Sequence, residues 1–266
     1  MIQRKIHFCW FSGDPYSDVV LRCMDSWQKY MPGCELVKWD MERISAIDSI
    51  WLKECLQMKK WAFAADYVRL WAIYHEGGIY LDSDVLLHAP LDDYLDNKMF
   101  IGREDCCYPT LEAGMQVFLT SHCFGAEPGH PFIKLCMDYY EDRHFIQTSS
   151  EMIPNGLRLD MLMMPYIQSH LAQEFGYDAR LGANHIQRLT NGVTVYPSKV
   201  FGRYYGSFVK FGSVAEHLGA GSWREPARSI ADSKPIKYTI GYKILWRIVY
   251  VLGRILSRFD YVIVKL

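Results

Sequence analysis

Apolar and polar positions along this chain fall into short blocks, strand-like runs alternating with stretches of helical period. Residues 6–11, Ile-His-Phe-Cys-Trp-Phe, predict a buried first strand, and Ser12-Gly13-Asp14-Pro15 ends it in a turn from which a ligand loop can follow. Over 17–31, Val20, Leu21, Met24, Trp27 and Met31 recur at helical spacing, and Pro32-Gly33 stops the helix. Residues 35–40 are extended, 48–58 and 61–76 read as helices, and Gly77-Gly78 closes the second before a strand at 79–81. Further on, 116–126 predicts a core strand and 131–140 a helix. A Met-rich helix follows at 157–171, with Met161, Met163 and Met164 as core filler, and a short strand at 192–196. Residues 201–224, rich in Gly and aromatics, read as a mobile loop. Strand, helix, strand alternation of this kind favours an α/β sheet.

The strand at 79–81 runs into Asp82-Ser83-Asp84. In an extended segment side chains two apart point the same way, so Asp82 and Asp84 are expected to converge while Ser83 faces oppositely. Converging carboxylates supply the hard oxygen ligands with which Mg²⁺ or Mn²⁺ bridges a protein to substrate phosphates. An isolated Asp-Ser-Asp more often merely caps a strand on the surface, so its surroundings must carry the specificity. An EF-hand is excluded: counting from Asp82, the fifth position is Leu86 and the sixth Leu87, which lack the ligand and the glycine. Asp66 and Arg69 are three apart on the preceding helix and share a face, either as a structural ion pair or as a grip on substrate hydroxyls.

Composition narrows the class. A 266-residue chain with half its residues apolar suits one enzyme-sized domain with appendages. The formal charge of −1 hides an asymmetry, because residues 224–266 carry nine Lys/Arg against three Asp/Glu, or +6, leaving −7 for the rest. An acidic body without P-loop or GxGxxG signatures argues against nucleic acid as a partner. The eight cysteines show no CxxC pair or zinc-like spacing and read as reduced thiols. The first residues form no signal-peptide apolar region and no run reaches the roughly 18 apolar residues of a spanning helix, so the expected location is cytoplasmic.

Ala-Phe-Ala-Ala-Asp66-Tyr-Val-Arg69 ahead of Gly77-Gly78-Ile79-Tyr80-Leu81-Asp82-Ser83-Asp84 closely resembles the core signature of the DXD-containing sugar transferases of glycosyltransferase family 32, nearest the bacterial capsular-polysaccharide branch. The resemblance extends to His7-Phe8-Cys9-Trp10-Phe11-Ser12-Gly13, to Ser26-Trp27, Pro32-Gly33 and Trp39-Asp40, and to His217 with Ser222-Trp223, covering roughly residues 5–225. The start and the DXD pattern are also similar to the catalytic domain of large clostridial glucosylating toxins. The resemblance implies a GT-A type, Rossmann-like mixed sheet flanked by helices, a nucleotide-diphosphate sugar donor, Mn²⁺ or Mg²⁺, and transfer with retention of anomeric configuration. It implies Asp66, Arg69, Asp82 and Asp84 as catalytic residues and Asp82, Asp84 and His217 as metal ligands. Trp10 (by stacking on uracil), Asp66, Arg69, Gly78, Tyr80, Asp82, Ser222 and Trp223 are the donor contacts it implies. Where the family often has a His-His-aromatic run, this chain reads Glu216-His217-Leu218. No carboxylate nominates itself as a nucleophile among Asp105, Glu127 and Asp160, which favours same-face attack through a short-lived ion pair.

The expected domains are a transferase domain at 1–236 and a basic amphipathic segment at 237–266. In the latter, the cations at 243, 247, 254, 258 and 265 fall within roughly a 60° arc of a helix. That pattern suits an anionic membrane surface and hence a lipid-linked saccharide acceptor, with a buried or dimer-forming helix as the plainer alternative. The leading expectation is a hexosyltransferase moving sugar from UDP-galactose, UDP-glucose or an N-acetyl form at the inner membrane face. A toxin-like transferase acting on protein and a noncatalytic sugar-nucleotide-binding assembly subunit are the alternatives, and homo-oligomers are compatible with either.

Overall fold

The computed structural model describes residues 1–110, 114–147, 158–204 and 213–219, with side chains described except at 105–110, 114, 115, 158, 203 and 204. In chain order the elements are β1 (Lys5–Cys9), α1 (Asp18–Tyr30), β2 (Glu35–Trp39), α2 (Ile50–Gln57), α3 (Trp61–Glu76), β3 (Gly78–Leu81) and β4 (Val85–Leu87). Then come β5 (Met99–Thr110), β6 (Gly114–Ala126), α4 (Pro131–Asp138), β7 (Ile146–Gln147), β8 (Arg158–Leu159) and α5 (Met164–Ala172). The last are β9 (Gln187–Arg188), β10 (Val193–Tyr196), α6 (Ser198–Phe201), β11 (Arg203–Tyr204) and β12 (Ala215–His217).

Seven strands form a mixed sheet in the order β2-β1-β3-β6-β5-β10-β9. β1 is parallel to both β2 and β3, while β6 runs antiparallel to β3 and β5. The alternation along β1 and β3 splits the core between the two faces of the sheet. Ile6, Phe8, Ile79 and Leu81 pack with Trp27 of α1 and Phe201, whereas Tyr80 joins Trp51, Phe63 and Ile73 under α2 and α3. The α/β class with a mixed sheet flanked by helices, expected from the sequence, is therefore the class observed. The described cysteines 9, 23, 34, 55, 123 and 136 are free thiols, as expected.

Local chemistry sets the element ends. Ser17 Oγ accepts from Val20 N–H at the start of α1, and Ser49 Oγ accepts from Leu52 N–H at the start of α2. After α3 the chain reverses through Gly77 (φ +64°) and Gly78 (φ +100°). At Gly78 a Cβ would lie 2.7 Å from Lys5 O, so both the dihedral and the approach of β1 require glycine. This reversal makes β3 return beside β1 with its carboxyl end at the edge where β1 and β2 also end.

Three expectations are corrected. Asp82-Ser83-Asp84 does not continue the strand: β3 ends at Leu81, and Val85 N–H donates to Asp82 O at 2.9 Å, closing a turn before β4. The Met-rich helix expected from 157 starts only at Met164, because Pro165 in its first turn has no N–H to donate and crowds the preceding turn. Met161, Leu162 and Met163 are consequently exposed rather than core filler, while Met164 is buried. The stretch 201–224, read as a loop, contains β11 and β12. These strands build a second sheet, β11-β12-β4, whose partner β4 lies too far away in sequence for any local period to reveal it. The segment expected at 237–266 lies outside the described residues, as do Ser222 and Trp223.

Candidate active site

The carboxyl ends of parallel strands are where open α/β sheets place ligands, and here the ends of β1, β2 and β3 deliver Trp10, Asp40 and Asp82 to one edge. The turn after β3 brings Asp82 and Asp84 together, and β12, antiparallel to β4 with His217 opposite Val85, adds an imidazole. His217 Nε2 lies 3.2 Å from Asp84 Oδ1 and 3.9 Å from Asp82 Oδ2. One potential ligand atom from each of the three residues lies within 4.8 Å of the others. Two carboxylate oxygens and one imidazole nitrogen fit a hard or borderline divalent ion. The convergence expected from strand geometry is thus real, but a turn and a distant strand produce it.

Beneath this cluster lies a buried charge network. Arg69, only 4% exposed, donates Nε–H to Ala65 O at 3.1 Å and Nη1–H to Ser121 O at 2.6 Å. Its Nη2 lies 3.0 Å from Asp66 Oδ1 and 3.3 Å from Asp82 Oδ1, and its guanidinium sits 4.6 Å from the centre of the Tyr80 ring. Tyr80, itself buried, donates its hydroxyl to Asp82 Oδ1 at 2.9 Å. Asp66 and Arg69 do share a helix face, and Arg69 acts as the brace that orients both carboxylates.

Burial pushes the Asp66 carboxyl up to about 7, with Arg69 opposing the rise and Asp82 adding to it. Burial disfavours charge on Arg69 as well, yet Asp82, Tyr80 and Asp66 outweigh it and hold the guanidinium above its ordinary value. Burial also pushes the Cys9 thiol up to about 12, so no thiolate is available beside the site. Burial lowers His217, but its hydrogen bond to Asp84 and the negative charges of Asp84 and Asp82 together outweigh it, and the net direction is upward. His122 on β6 stacks on His217 with ring centroids 4.7 Å apart, and burial lowers it to about 3, so it is neutral. The sequence reading passed over His122; its signal was the polar run Thr120-Ser121-His122 interrupting the apolar residues of a core strand.

The remaining candidates occupy separate places. Trp10 donates Nε1–H to Asp14 O at 2.8 Å and meets Tyr16 edge-on, with centroids 5.1 Å apart. Together with Lys38 and Asp40 they line a groove of about 420 Å³ at the ends of β1 and β2. Tyr16 is a second aromatic wall that sequence reasoning missed. Gly78 stands at the far end of β3, four residues before Asp82, where Lys5 accounts for the glycine. Of the nucleophile candidates, Glu127 pairs with the amino terminus of Met1 and Asp160 with Arg143 at 2.5 Å, while the side chain of Asp105 is not among those described.

Residues 17–101 match the family described as "Glycosyltransferase sugar-binding region containing DXD motif". Asp82-Ser83-Asp84 is the DXD that lies within the matched residues. No curated protein matches the chain in sequence. Among solved structures it is similar to the PaToxG glycosyltransferase, at 17% identity over 52% of this chain and 59% of that one, with a TM-score of 0.39. It is also similar to a glycosyltransferase involved in the glycosylation of the major capsid of PBCV-1, at 13% identity over 80% and 93%, TM-score 0.42. A third is the galactosyltransferase LgtC in complex with donor and acceptor sugar analogs, at 11% identity over 80% and 86%, TM-score 0.38. The mixed α/β sheet and the DXD region agree with the GT-A type of fold expected from the sequence.

Proposed function

We propose that this chain is a metal-dependent, retaining glycosyltransferase that moves a hexose from a UDP-sugar to a lipid-linked glycan, in the manner of family 32. One observation carries the reading: Asp82, Asp84 and His217 converge inside a DXD sugar-binding region, above a buried arginine that orients Asp82. Asp82, Asp84 and His217 would hold Mn²⁺ or Mg²⁺, whose charge offsets that developing on a departing nucleoside diphosphate. Arg69 contributes a second, fixed positive charge from below, in a site shielded from water. Asp66 would accept a hydrogen bond from a donor sugar hydroxyl. Trp10 and Tyr16 offer aromatic surface to a uracil ring. Ser222 and Trp223 belong to the same proposal as lid contacts. With Cys9 neutral and Glu127 and Asp160 engaged elsewhere, the favoured course is same-face attack with the leaving phosphate accepting the acceptor's proton.

The basic segment 237–266 supports a location against an anionic membrane, where lipid-linked acceptors lie; among the described residues no helix is long and apolar enough to cross one. The decisive experiment is a screen of UDP-galactose, UDP-glucose and their N-acetyl forms, following UDP release with and without Mn²⁺. Mn²⁺-dependent release from one donor is the expected result. Its absence with all four donors would eliminate the donor class. Deleting 238–266 should weaken binding to anionic liposomes more than donor hydrolysis, and undiminished liposome binding would remove the membrane role.

A further inference from the structure

His217 reaches the acidic turn from a three-residue strand, and several contacts hold it there. Leu218 N–H donates to Asp84 O at 3.0 Å, which ties the end of β12 to the turn itself. Behind the imidazole, the His122 ring lies 10° from parallel, and it is locked in turn by Nε2–H donating to Phe201 O at 2.8 Å. Side chains alternate along a strand, so Glu216 points away from the face that His217 presents to Asp82 and Asp84. There Glu216 Oε2 accepts from His88 Nε2–H at 2.8 Å, while His88 N–H donates to Val214 O at 2.8 Å. β4 is itself bolted to α1, since Trp27 Nε1–H donates to Val85 O at 2.7 Å and Leu87 N–H to Ser26 Oγ at 3.0 Å.

We propose that His122 and the His88–Glu216 pair are positioning residues that hold His217 as the third metal ligand, an inference that rests on the metal-site reading above. A strand this short has few ladder bonds to set its register, and a slip of one residue would turn His217 to the opposite face. The His88–Glu216 link, lying across β4 and β12 on the reverse face, opposes that slip. The His122 ring removes the remaining freedom, rotation of the imidazole about its own side-chain bonds. Neither contact touches the ion or the substrate. Both act through His217, as partners of a metal-ligating histidine commonly do.

The test is Mn²⁺ affinity of the full chain, measured by electron paramagnetic resonance of free Mn²⁺. Asp84→Ala should lose measurable binding. His122→Ala and His88→Ala should each weaken binding about tenfold, at the lower end of the range for outer ligand partners. His88→Gln, whose amide can still donate to Glu216, should return to within about twofold of wild type. In a His217→Ala background neither His88→Ala nor His122→Ala should weaken binding further, because the residue they position is gone. His88 is one-third exposed, so His88→Ala should fold and carries the test even where His122→Ala does not. The inference is overturned by wild-type affinity in His88→Ala, or by an equal loss in the His217→Ala background. Equal Mn²⁺ binding by wild type and Asp84→Ala would instead sink the metal-site reading, and the inference with it.

Discussion

At the amino end of β3, buried polar groups are answered by neighbours: Trp39 Nε1–H donates to His7 Nδ1 at 3.0 Å, and His7 Nε2–H donates to Gly77 O at 2.9 Å. Lys5 and Arg43 flank Glu76 close by, and the backbone of β1 packs directly on Gly78. At the carboxyl end, about 13 Å away along the strand, three carboxylates crowd around one guanidinium and one imidazole. The first arrangement matches donors to acceptors and stabilises the fold. The second keeps like charges close in a poorly solvated place, which opposes folding unless a cation joins them. One four-residue strand thus separates a structural end from a chemical end, and substitutions at the two should affect different properties.

The sharpest separation should come from Asp84→Ala. Removing a metal carboxylate should slow UDP release by on the order of 10³-fold, while the melting temperature without metal stays level or rises because one like charge is gone. Unfolding of this variant would break the distinction. The converse substitution, Gly78→Ala, should cost roughly 3 kcal/mol of stability, because φ +100° is strained for alanine and its Cβ meets Lys5 O. Activity per folded molecule should hold within about twofold, as read by urea denaturation alongside turnover at low temperature.

The pH dependence of stability sharpens the comparison, because His7 at one end and Asp66 at the other contribute slopes in opposite directions. Burial lowers His7 from 6.5 to about 4, so the unfolded chain binds its proton first as pH falls. The stability is fully present above 6.5 and should drop by about 3 kcal/mol as pH falls to 4. His122, also lowered by burial, extends the loss to lower pH. His7→Gln should flatten that slope in denaturant titrations at pH 4 to 7, and an unchanged slope would remove His7 from the explanation. Asp66 is raised to about 7, so the folded chain holds its proton and the associated stability is lost as pH rises from 3.8 through 7. Asp66→Asn should therefore gain on wild type by roughly 4 kcal/mol between pH 4 and 8, while losing turnover. A constant difference between the two proteins would show that Asp66 is ionised throughout.

Much of the chemical end was legible in the chain itself. The helix over Trp61–Glu76, the glycine reversal and the Asp-Ser-Asp that follows are consecutive in sequence, and each depends on interactions within a few residues: helical period, missing Cβ atoms and a tight turn. The pairing of Asp66 with Arg69 belongs to the same class, since residues three apart on a helix must be neighbours. What surrounds them was decided by the tertiary structure. Only tertiary packing places Ser121 against Arg69, His122 behind His217, and His88 against Glu216, 128 residues further on. The two short strands of the second sheet carry too few residues for a period to register; β12 pairs on the edge of β4 and β11 on that of β12. Local sequence thus supplied the ligands and their spacing. The orientation of those ligands, the depth of their burial and the charge each carries depend on desolvation by distant segments, which no local pattern encodes.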